Sequence, residues 1–455
     1  MTQPRPQEDR PVVEQPVAEQ TVVEQTVAGS RAPEQRAPEH RAPVGTAPAP
    51  GSRRTGIAGA GDSPKSWNMA LGSRDLIGAA EILPEDERAR LIEIDDYLQE
   101  HVAGPSLDFW NREEFPHEWL PGLGALGLGR LQVDGTSRLF KGLVYAAVSR
   151  ADVSLCALVG IHNELIVGMI DRLGSPEQKA EWLPRLEAFA CLGSFALTEP
   201  EHGSDVAGGL STSARWDQDA WVISGAKRWI GAGTMADVVL TWARDEADGV
   251  IKAFLVRTSS PGFSASKIEN KVGLRIMQNA NLTFDEVRVP EADRLPGGDG
   301  FDKANELLLD SRAWVGWQAV GLAHAALDDA RAYASQRRQF ERELARFQLV
   351  QQQIADIAGN ATAAMGLMIE MARLQEDGRL KMAQAALAKA TATRLTREAV
   401  ALNRDLHGGN GLVTEPGHLA AKLFADAEII YTYEGTYSIN SLIAARALTG
   451  VSAFV

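Results

Sequence analysis

The spacing of apolar residues changes twice along this chain, and this change constrains the fold more than any other feature of the sequence. In residues 75–192, apolar side chains recur at helical spacing, as in Leu91, Ile94 and Leu98. In residues 193–300 they form short, β-branched or alternating runs separated by Gly, Asn, Asp and Pro. Helical spacing then returns and persists. The pattern predicts a helical domain, a β domain and a bundle of long helices.

We predict an α+β protein in three folded parts. They are an N-terminal α-helical domain (75–192), a middle antiparallel, β-barrel-like domain (193–300) and a C-terminal four-helix-bundle domain (301–455). A low-complexity arm (1–70) precedes them, with five-residue repeats such as VVEQP and RAPEQ. Proline blocks regular structure and the arm has little apolar surface, so we expect it to be disordered.

The overall composition narrows the class of protein. The formal net charge is −14, which argues against nucleic acid and anionic membrane surfaces as partners. The two cysteines, Cys156 and Cys191, suit a reducing compartment, and the histidines show no metal-ligand spacing. No secretory signal and no run of membrane-spanning length are visible. We therefore expect a cytoplasmic protein without membrane insertion and without a metal site.

A single carboxylate near the C-terminus stands in apolar surroundings. Glu434 lies beside Tyr431 and Tyr433 and is followed by Gly435, Thr436 and an apolar helical run. A carboxylate that loses hydration becomes a stronger base, able to remove a weakly acidic C–H proton. Taken by itself, the pattern is better explained by an acid that favours a helix N-terminus.

Four further clusters combine residue types that can hold a ligand. They are residues 197–205 (LTEPEHGSD), 227–233 (KRWIGAG), 336–340 (QRRQF) with Gln348, and 407–411 (HGGNG). Backbone N–H groups at Gly203 and Ser204 can hold an anion, and Trp229 offers a flat apolar plate. Paired arginines suit a pyrophosphate. Each cluster alone is as well explained by a turn, a hairpin end or a charged surface.

The order and spacing of these motifs, namely LTEPxxGSD, KRWIG, RRQF followed by Gln, GGNG and YEGT, resemble those of the acyl-CoA dehydrogenase family over about residues 75–450. Within the family, the chain looks most similar to the branch of glutaryl-CoA dehydrogenases and plant short-chain acyl-CoA oxidases. The resemblance implies an acyl-CoA dehydrogenase-like fold, with FAD between the β domain and the C-terminal bundle. It also implies an acyl-CoA thioester as substrate, an electron-transferring flavoprotein or O2 as electron acceptor, and an oligomer, commonly a homotetramer.

The resemblance also implies roles for individual residues. Glu434 is the expected catalytic base, and the family's alternative base position is occupied here by Ser311. The residues expected to bind FAD are Leu197, Thr198, Gly203, Ser204, Trp229, Gly231, Arg337, Phe340, Gln348, Asp405, Gly408, Gly409 and Thr436. Those from Arg337 to Gly409 would reach the FAD of a neighbouring subunit. The residues expected to bind substrate are Ser204, Arg312, Tyr433 and Gly435.

Three positions depart from the family pattern. Gly231 replaces the threonine of many dehydrogenases, which is expected to leave space for O2 near the flavin's reactive edge. Cys156 replaces the arginine that grips the distal carboxylate in glutaryl-CoA dehydrogenases, so a dicarboxylate chain would be unpaired and no decarboxylation is expected. Glu341 replaces the usual glycine after RxxF, which puts the local contact to the partner's FAD in doubt.

The sequence thus predicts FAD-dependent α,β-dehydrogenation of a short, unbranched acyl-CoA to the trans-2-enoyl-CoA, with Glu434 removing the α-proton and flavin N5 receiving the hydride. Two alternatives remain open at this point. One is an acyl-CoA oxidase that passes electrons to O2. The other is a non-catalytic flavoprotein relative that acts as a binding scaffold.

Overall fold

The computed structural model describes residues 75–452, and the predicted arm (1–70) lies outside them. Its N-terminal helices are α1 (Glu85–Leu98), α2 (Ser106–Arg112), α3 (Leu120–Ala125), α4 (Arg138–Ala151), α5 (Val153–Gly160), α6 (Gly168–Leu173) and α7 (Pro176–Glu187). Two π-helical segments, Gln99–Ala103 and Ile161–Val167, follow α1 and α5. Short 3-10 turns lie at Ala79–Ile82 and His117–Trp119.

Side-chain caps explain where several of these helices begin. The Ser137 side chain accepts a hydrogen bond from the N–H of Phe140 at the start of α4. Asp152 does the same for α5. Ser175 and Gln178 form a reciprocal capping box at α7. Each cap satisfies amide groups that the first helical turn leaves unpaired.

The helical periodicity read from the sequence identifies the buried face of α1. Leu91, Ile94 and Leu98 have no solvent exposure. One stretch among residues 75–452, Val153–Leu173, is long and apolar enough to cross a membrane, so the expectation that no run reaches that length was wrong. Its most apolar window is 89% buried inside the protein, as in the core helix of a soluble protein.

The middle part is an eight-stranded sheet. It contains β1 (Gly193–Ala196), the short helix α8 (Val206–Gly209), β2 (Ser213–Asp217), β3 (Ala220–Ile230), β4 (Val238–Asp245), β5 (Ile251–Arg257), β6 (Phe263–Lys267), β7 (Ala280–Pro290) and β8 (Arg294–Asp299). The strand order is β6-β7-β3-β2-β4-β5-β8, with β1 also paired to β4. The pairs β1/β4 and β2/β4 are parallel, so the sheet is mixed rather than purely antiparallel.

The C-terminal part is a bundle of long helices. It contains α9 (Phe301–Gln336), a hairpin of β9 (Arg338–Gln339) and β10 (Arg342–Glu343), then α10 (Gln348–Glu376), α11 (Met382–Leu406), α12 (Ala420–Thr432) and α13 (Tyr437–Thr449). Short 3-10 turns lie in the bundle at Leu344–Arg346 and Gly408–Leu412, and in the middle part at Glu291–Asp293, between β7 and β8. Gly378, at φ 63°, follows the end of α10, as the sequence predicted.

A buried carboxylate ties the β domain to both helical parts. Asp426 of α12 accepts hydrogen bonds from the backbone N–H of Leu274, at 2.6 Å, and from Nε1 of Trp110, at 2.9 Å. Lys422 lies 3.0 Å from Asp426 and 2.9 Å from Asp152. All three charged side chains are almost inaccessible to solvent. Because breaking such a group leaves uncompensated buried charge, it holds the three parts in one arrangement.

Candidate active site

The turn between α12 and α13 carries the predicted base. Glu434 and Gly435 are consecutive residues in the left-handed region, at φ 57° and 83°. This conformation suits glycine but is uncommon for glutamate. Thr436 then caps α13 by accepting a hydrogen bond from the N–H of Ile439 at 3.1 Å. The turn therefore places the glutamate at a strained corner between two helices.

The carboxylate of Glu434 is half-buried and points at helix α9. Ser311, which is fully buried, donates its hydroxyl to Glu434 Oε1 at 2.6 Å. The serine at the family's alternative base position thus orients the carboxylate that the sequence predicts to be the base. From the sequence, Ser311 showed only that no second carboxylate occupies the alternative base position, so its hydrogen bond to Glu434 was not predicted.

Two buried side chains, one from α11 and one from α13, donate hydrogen bonds to carbonyl oxygens of the turn. Lys389 of α11 donates to the carbonyl oxygens of Tyr431, at 3.1 Å, and Gly435, at 2.8 Å. Asn440 Nδ2 donates to the same Gly435 oxygen at 2.7 Å, and its Oδ1 accepts from Arg312 Nε at 3.0 Å. Burial lowers the pKa of Lys389 to about 7 and also lowers that of Arg312.

Sequence reasoning missed Lys389 and Asn440. A signal existed for the lysine, because it is a lone cation in the Ala- and Thr-rich run AALAKATAT of α11.

Aromatic rings close the space behind the base. The rings of Trp314 and Tyr433 lie 6.0 Å apart, and Trp314 is almost fully buried. A Cβ on Gly160 would lie 2.6 Å from the Trp314 ring, so the indole fills the place of any side chain at position 160. The Tyr433 hydroxyl bonds to Gln318 Oε1. The room on this side of Glu434 is therefore small.

A second group of predicted residues lies at one end of the sheet. The ammonium of Lys227 donates to the carbonyl of Leu197 at 3.1 Å and to Glu199 Oε1 at 2.9 Å. The N–H of Arg228 donates to the carbonyl of Thr198 at 2.9 Å. The Trp229 side chain is 53% exposed and its backbone is left-handed, at φ 65°. Burial lowers the pKa of Lys227 to about 8 despite its carboxylate partner.

The space expected at Gly231 is filled. A Cβ on this glycine would lie 2.5 Å from Cε of Met277 and 2.7 Å from Cδ1 of Ile161. Ser194 donates to the Gly231 carbonyl at 2.9 Å. Two hydrophobic side chains from other parts of the chain thus occupy the volume that a side chain at position 231 would take.

The base turn and the sheet end meet across one helix. Gly160 lies under Trp314, which packs on Tyr433, while the next residue, Ile161, packs on Gly231. The π-helical segment that begins at Ile161 adds a residue to the turn, a feature that often marks functional sites. The structure thereby brings the two groups of predicted residues to neighbouring surfaces.

A third group lies elsewhere. Arg337 and the left-handed Phe340 and Glu341 form the β9/β10 hairpin region, next to Gln348 at the start of α10. Gln353 of α10 donates to Asp405 Oδ2 at 2.9 Å, which links this region to the end of α11. Among residues 75–452, no hydrogen bond, ion pair or ring contact joins these residues to Glu434 or Gly231. Their role at a neighbouring subunit's FAD stays a prediction.

Several predicted cofactor residues lie on open surface. A Cβ on Gly203, Gly408 or Gly409 would meet nothing within 4 Å. The ring of Phe340 is 86% exposed, which is costly unless another surface covers it. Substrate-side Ser204 is likewise exposed. In residues 75–452, no group of three or more His, Cys, Asp or Glu side chains could hold a metal ion.

Comparison with known protein families agrees with this arrangement. The acyl-CoA dehydrogenase N-terminal domain matches residues 84–189, the middle domain matches 194–287 and the C-terminal domain matches 298–449. The mitochondrial short-chain specific acyl-CoA dehydrogenase of Bos taurus is 33% identical over 374 residues, covering 80% of this chain and 90% of that protein.

Two solved structures share the fold. Glutaryl-CoA dehydrogenase from Mycobacterium smegmatis in complex with FADH2 superposes with a TM-score of 0.80 and 31% identity, over 85% of this chain and 99% of that one. Butyryl-CoA dehydrogenase from Megasphaera elsdenii superposes with a TM-score of 0.76 and 29% identity, over 80% of this chain and 98% of that one. Similarity to plant oxidases stays a prediction. Motifs, fold and matches together show that the chain belongs to the acyl-CoA dehydrogenase family.

Proposed function

We propose that the protein dehydrogenates a short, unbranched acyl-CoA between its α and β carbons, with Glu434 as the base. Dependence on FAD and dehydrogenation of an acyl-CoA follow from family membership. The assignment of the base is supported by one hydrogen bond: the hydroxyl of Ser311 donates to the Glu434 carboxylate at 2.6 Å, next to Tyr433.

In the proposed mechanism, the thioester carbonyl acidifies the α C–H bond and Glu434 takes the α-proton. Bound FAD supplies the acceptor for the hydride that leaves the β carbon, so a carbon–carbon double bond forms. Negative charge develops on the thioester oxygen, where a backbone N–H donor lowers the barrier. In this proposal the donor is the backbone N–H of Glu434 itself, which lies in the left-handed turn.

Two features support a short acyl group without a terminal charge. Trp314 and Tyr433 limit the depth beside the base, since the indole already fills the notch at Gly160. Cys156 is fully buried and its thiol donates to the carbonyl of Tyr145 at 3.3 Å. A distal carboxylate beside this thiol would be desolvated without a counter-charge, at a cost of several kcal/mol or more.

We propose an electron-transferring flavoprotein, rather than O2, as the electron acceptor. Met277 and Ile161 support this choice because their side chains occupy the volume beside Gly231 through which O2 was expected to enter. The same argument makes the oxidase the weaker alternative.

Assembly and location are also proposals. The exposed side chains of Phe340 (86%), Leu349 (75%) and Leu412 (67%) favour a homo-oligomer, with a tetramer as the expected form. The proposal of a cytoplasmic location is supported by Cys156 and Cys191, which are both free and buried, as is usual in a reducing compartment.

The test uses FAD-loaded protein mixed anaerobically with acyl-CoAs of increasing length. Bleaching of the flavin by butyryl-CoA, with slower bleaching by longer and dicarboxylic thioesters, is the expected result. Glu434→Gln should retain FAD and thioester binding and lose bleaching by about 10²–10⁴-fold, the usual contribution of a general base. Near-normal bleaching in this variant contradicts the assignment of Glu434.

A further inference from the structure

Lys389 holds the two backbone carbonyls that bracket the catalytic turn. Its ammonium donates to the oxygen of Tyr431, three residues before Glu434, at 3.1 Å. It also donates to the oxygen of Gly435, directly after Glu434, at 2.8 Å. The lysine comes from the middle of α11 and has no solvent exposure. One side chain therefore fixes both ends of the segment that carries the base.

The charge environment of Lys389 is unusual for a buried lysine. Within residues 75–452, no carboxylate lies within 4.0 Å of its ammonium. Glu434 supplies the favourable charge interaction, and Arg312 opposes it. The other two fully buried lysines, Lys227 and Lys422, both have direct carboxylate partners. Burying a lysine ammonium against carbonyl oxygens alone costs free energy. The presence of Lys389 at this position therefore calls for a structural reason.

The turn itself supplies that reason. Glu434 has a left-handed backbone that disfavours residues with a Cβ, so the turn persists only where its surroundings hold it. Asn440 also donates a hydrogen bond to the Gly435 oxygen. Of these two side chains, only Lys389 donates to the Tyr431 oxygen as well. Without the lysine, the turn loses the two hydrogen bonds that fix its carbonyls to α11, and stacking of Tyr431 on Tyr437, with ring centroids 4.9 Å apart, is left to join α12 to α13.

We propose that Lys389 is a positioning residue for catalysis, which keeps the Glu434 carboxylate within reach of the substrate's α-proton by donating to the Tyr431 and Gly435 carbonyls. The inference rests on the proposed role of Glu434. A displacement of about 1 Å at a reacting group can lower a rate by about 100-fold. In this proposal the lysine acts through the backbone of the turn and is not itself a reacting group.

The test measures proton abstraction without dehydrogenation. Acetyl-CoA has α C–H bonds but no β carbon to release a hydride, so exchange of its methyl protons in D2O, followed by NMR, reports the base alone. We expect FAD-loaded Lys389→Met to lose about 100-fold in exchange rate and in kcat, with KM and FAD content close to those of the unaltered protein. Lys389→Gln, which keeps amide donors but no charge, should recover about tenfold of this loss.

The control is Thr393→Val, one turn further along α11. Thr393 is equally buried and bonds only within its own helix, to the carbonyls of Lys389 and Ala390. It should exchange acetyl-CoA protons at the unaltered rate. Equal losses in Lys389→Met and Thr393→Val, or exchange at the unaltered rate in Lys389→Met, overturn the proposal.

Failure of the proposed function gives a different result. If Glu434→Gln still exchanges the protons, Glu434 is not the base, whatever Lys389→Met does. If Glu434→Gln is silent while Lys389→Met exchanges normally, the base stands and the role of Lys389 is rejected.

Discussion

Ser311 and Glu434 are 123 residues apart in sequence, yet the serine hydroxyl lies 2.6 Å from Glu434 Oε1 and donates a hydrogen bond to it. Ser311 lies in helix α9, whereas Glu434 lies in the turn between α12 and α13. A hydroxyl is a donor without charge, so it orients the carboxylate without adding a second base. The pair is therefore consistent with the proposal that Glu434 is the base.

Ser311→Ala should lower kcat by about 10-fold or more with little change in KM. The hydrogen bond holds the carboxylate in position, and a displacement of about 1 Å at a reacting group can lower a rate by about 100-fold, so a smaller displacement should cost about a factor of ten. Anaerobic stopped-flow measurement of flavin bleaching checks the change. Ser311→Thr keeps the hydroxyl and serves as the control. Unchanged bleaching in the alanine variant would show that the hydrogen bond does not orient the base.

Trp314→Ala should extend activity to longer acyl-CoAs. Removing the indole opens the notch at Gly160 beside Tyr433, and the variant should be less stable by about 3–5 kcal/mol. The measurement is kcat/KM across a series of chain lengths.

Trp317→Ala is the matched control for this change. Trp317 also packs into a glycine notch, at Gly142, and is almost fully buried, but it lies one helical turn further from the base. Its loss should cost similar stability and leave the chain-length profile unchanged. The same broadening in both variants would mean that Trp314 does not set the length.

Met277→Ala should raise the rate at which O2 reoxidises the reduced flavin. The substitution removes the methyl group that lies 2.5 Å from the position of a Cβ on Gly231 and so opens the volume beside it. Stopped-flow reoxidation in air, with a peroxide assay, measures the effect, which should be several-fold or more. Met277→Leu keeps the volume and should react like the unaltered protein. Slow reoxidation in both variants would place the barrier to O2 elsewhere.

Glu164 should make stability depend on pH in a defined window. The side chain is 5% exposed and hydrogen-bonded by Tyr145 and Gln132. Burial raises the pKa of Glu164 from 4.5 to about 7. Below about pH 4.5 both states hold the proton. Between about 4.5 and 7 the unfolded chain releases it while the folded chain keeps it, so the free energy of unfolding falls as pH rises.

Each pKa unit corresponds to about 1.4 kcal/mol, so the full loss approaches roughly 3 kcal/mol above pH 7. Thermal unfolding at pH 5 and pH 8, compared with Glu164→Gln, isolates this contribution. The glutamine variant should lack it, because its side chain does not titrate. Parallel pH profiles for the two proteins would show that Glu164 is not the cause.

Much of the fold was predictable because secondary structure depends on local spacing. The helical recurrence of Leu91, Ile94 and Leu98 marks a buried face without knowledge of its partner, and all three are fully buried. Gly378 ends a helix through its own backbone freedom. The mixed character of the sheet was not predictable, because a parallel pairing such as β1 with β4 depends on how distant segments meet.

The sequence by itself determined the order of the three parts, the motifs that identify the family and the single carboxylate expected to act as base. Tertiary structure alone decided what surrounds that carboxylate and the glycine across from it. Ser311 and Lys389 reach the base turn from other helices, and Met277 and Ile161 fill the volume beside Gly231. The physical reason is that periodicity identifies which face of an element is buried, whereas close packing of several elements decides which atoms share a volume.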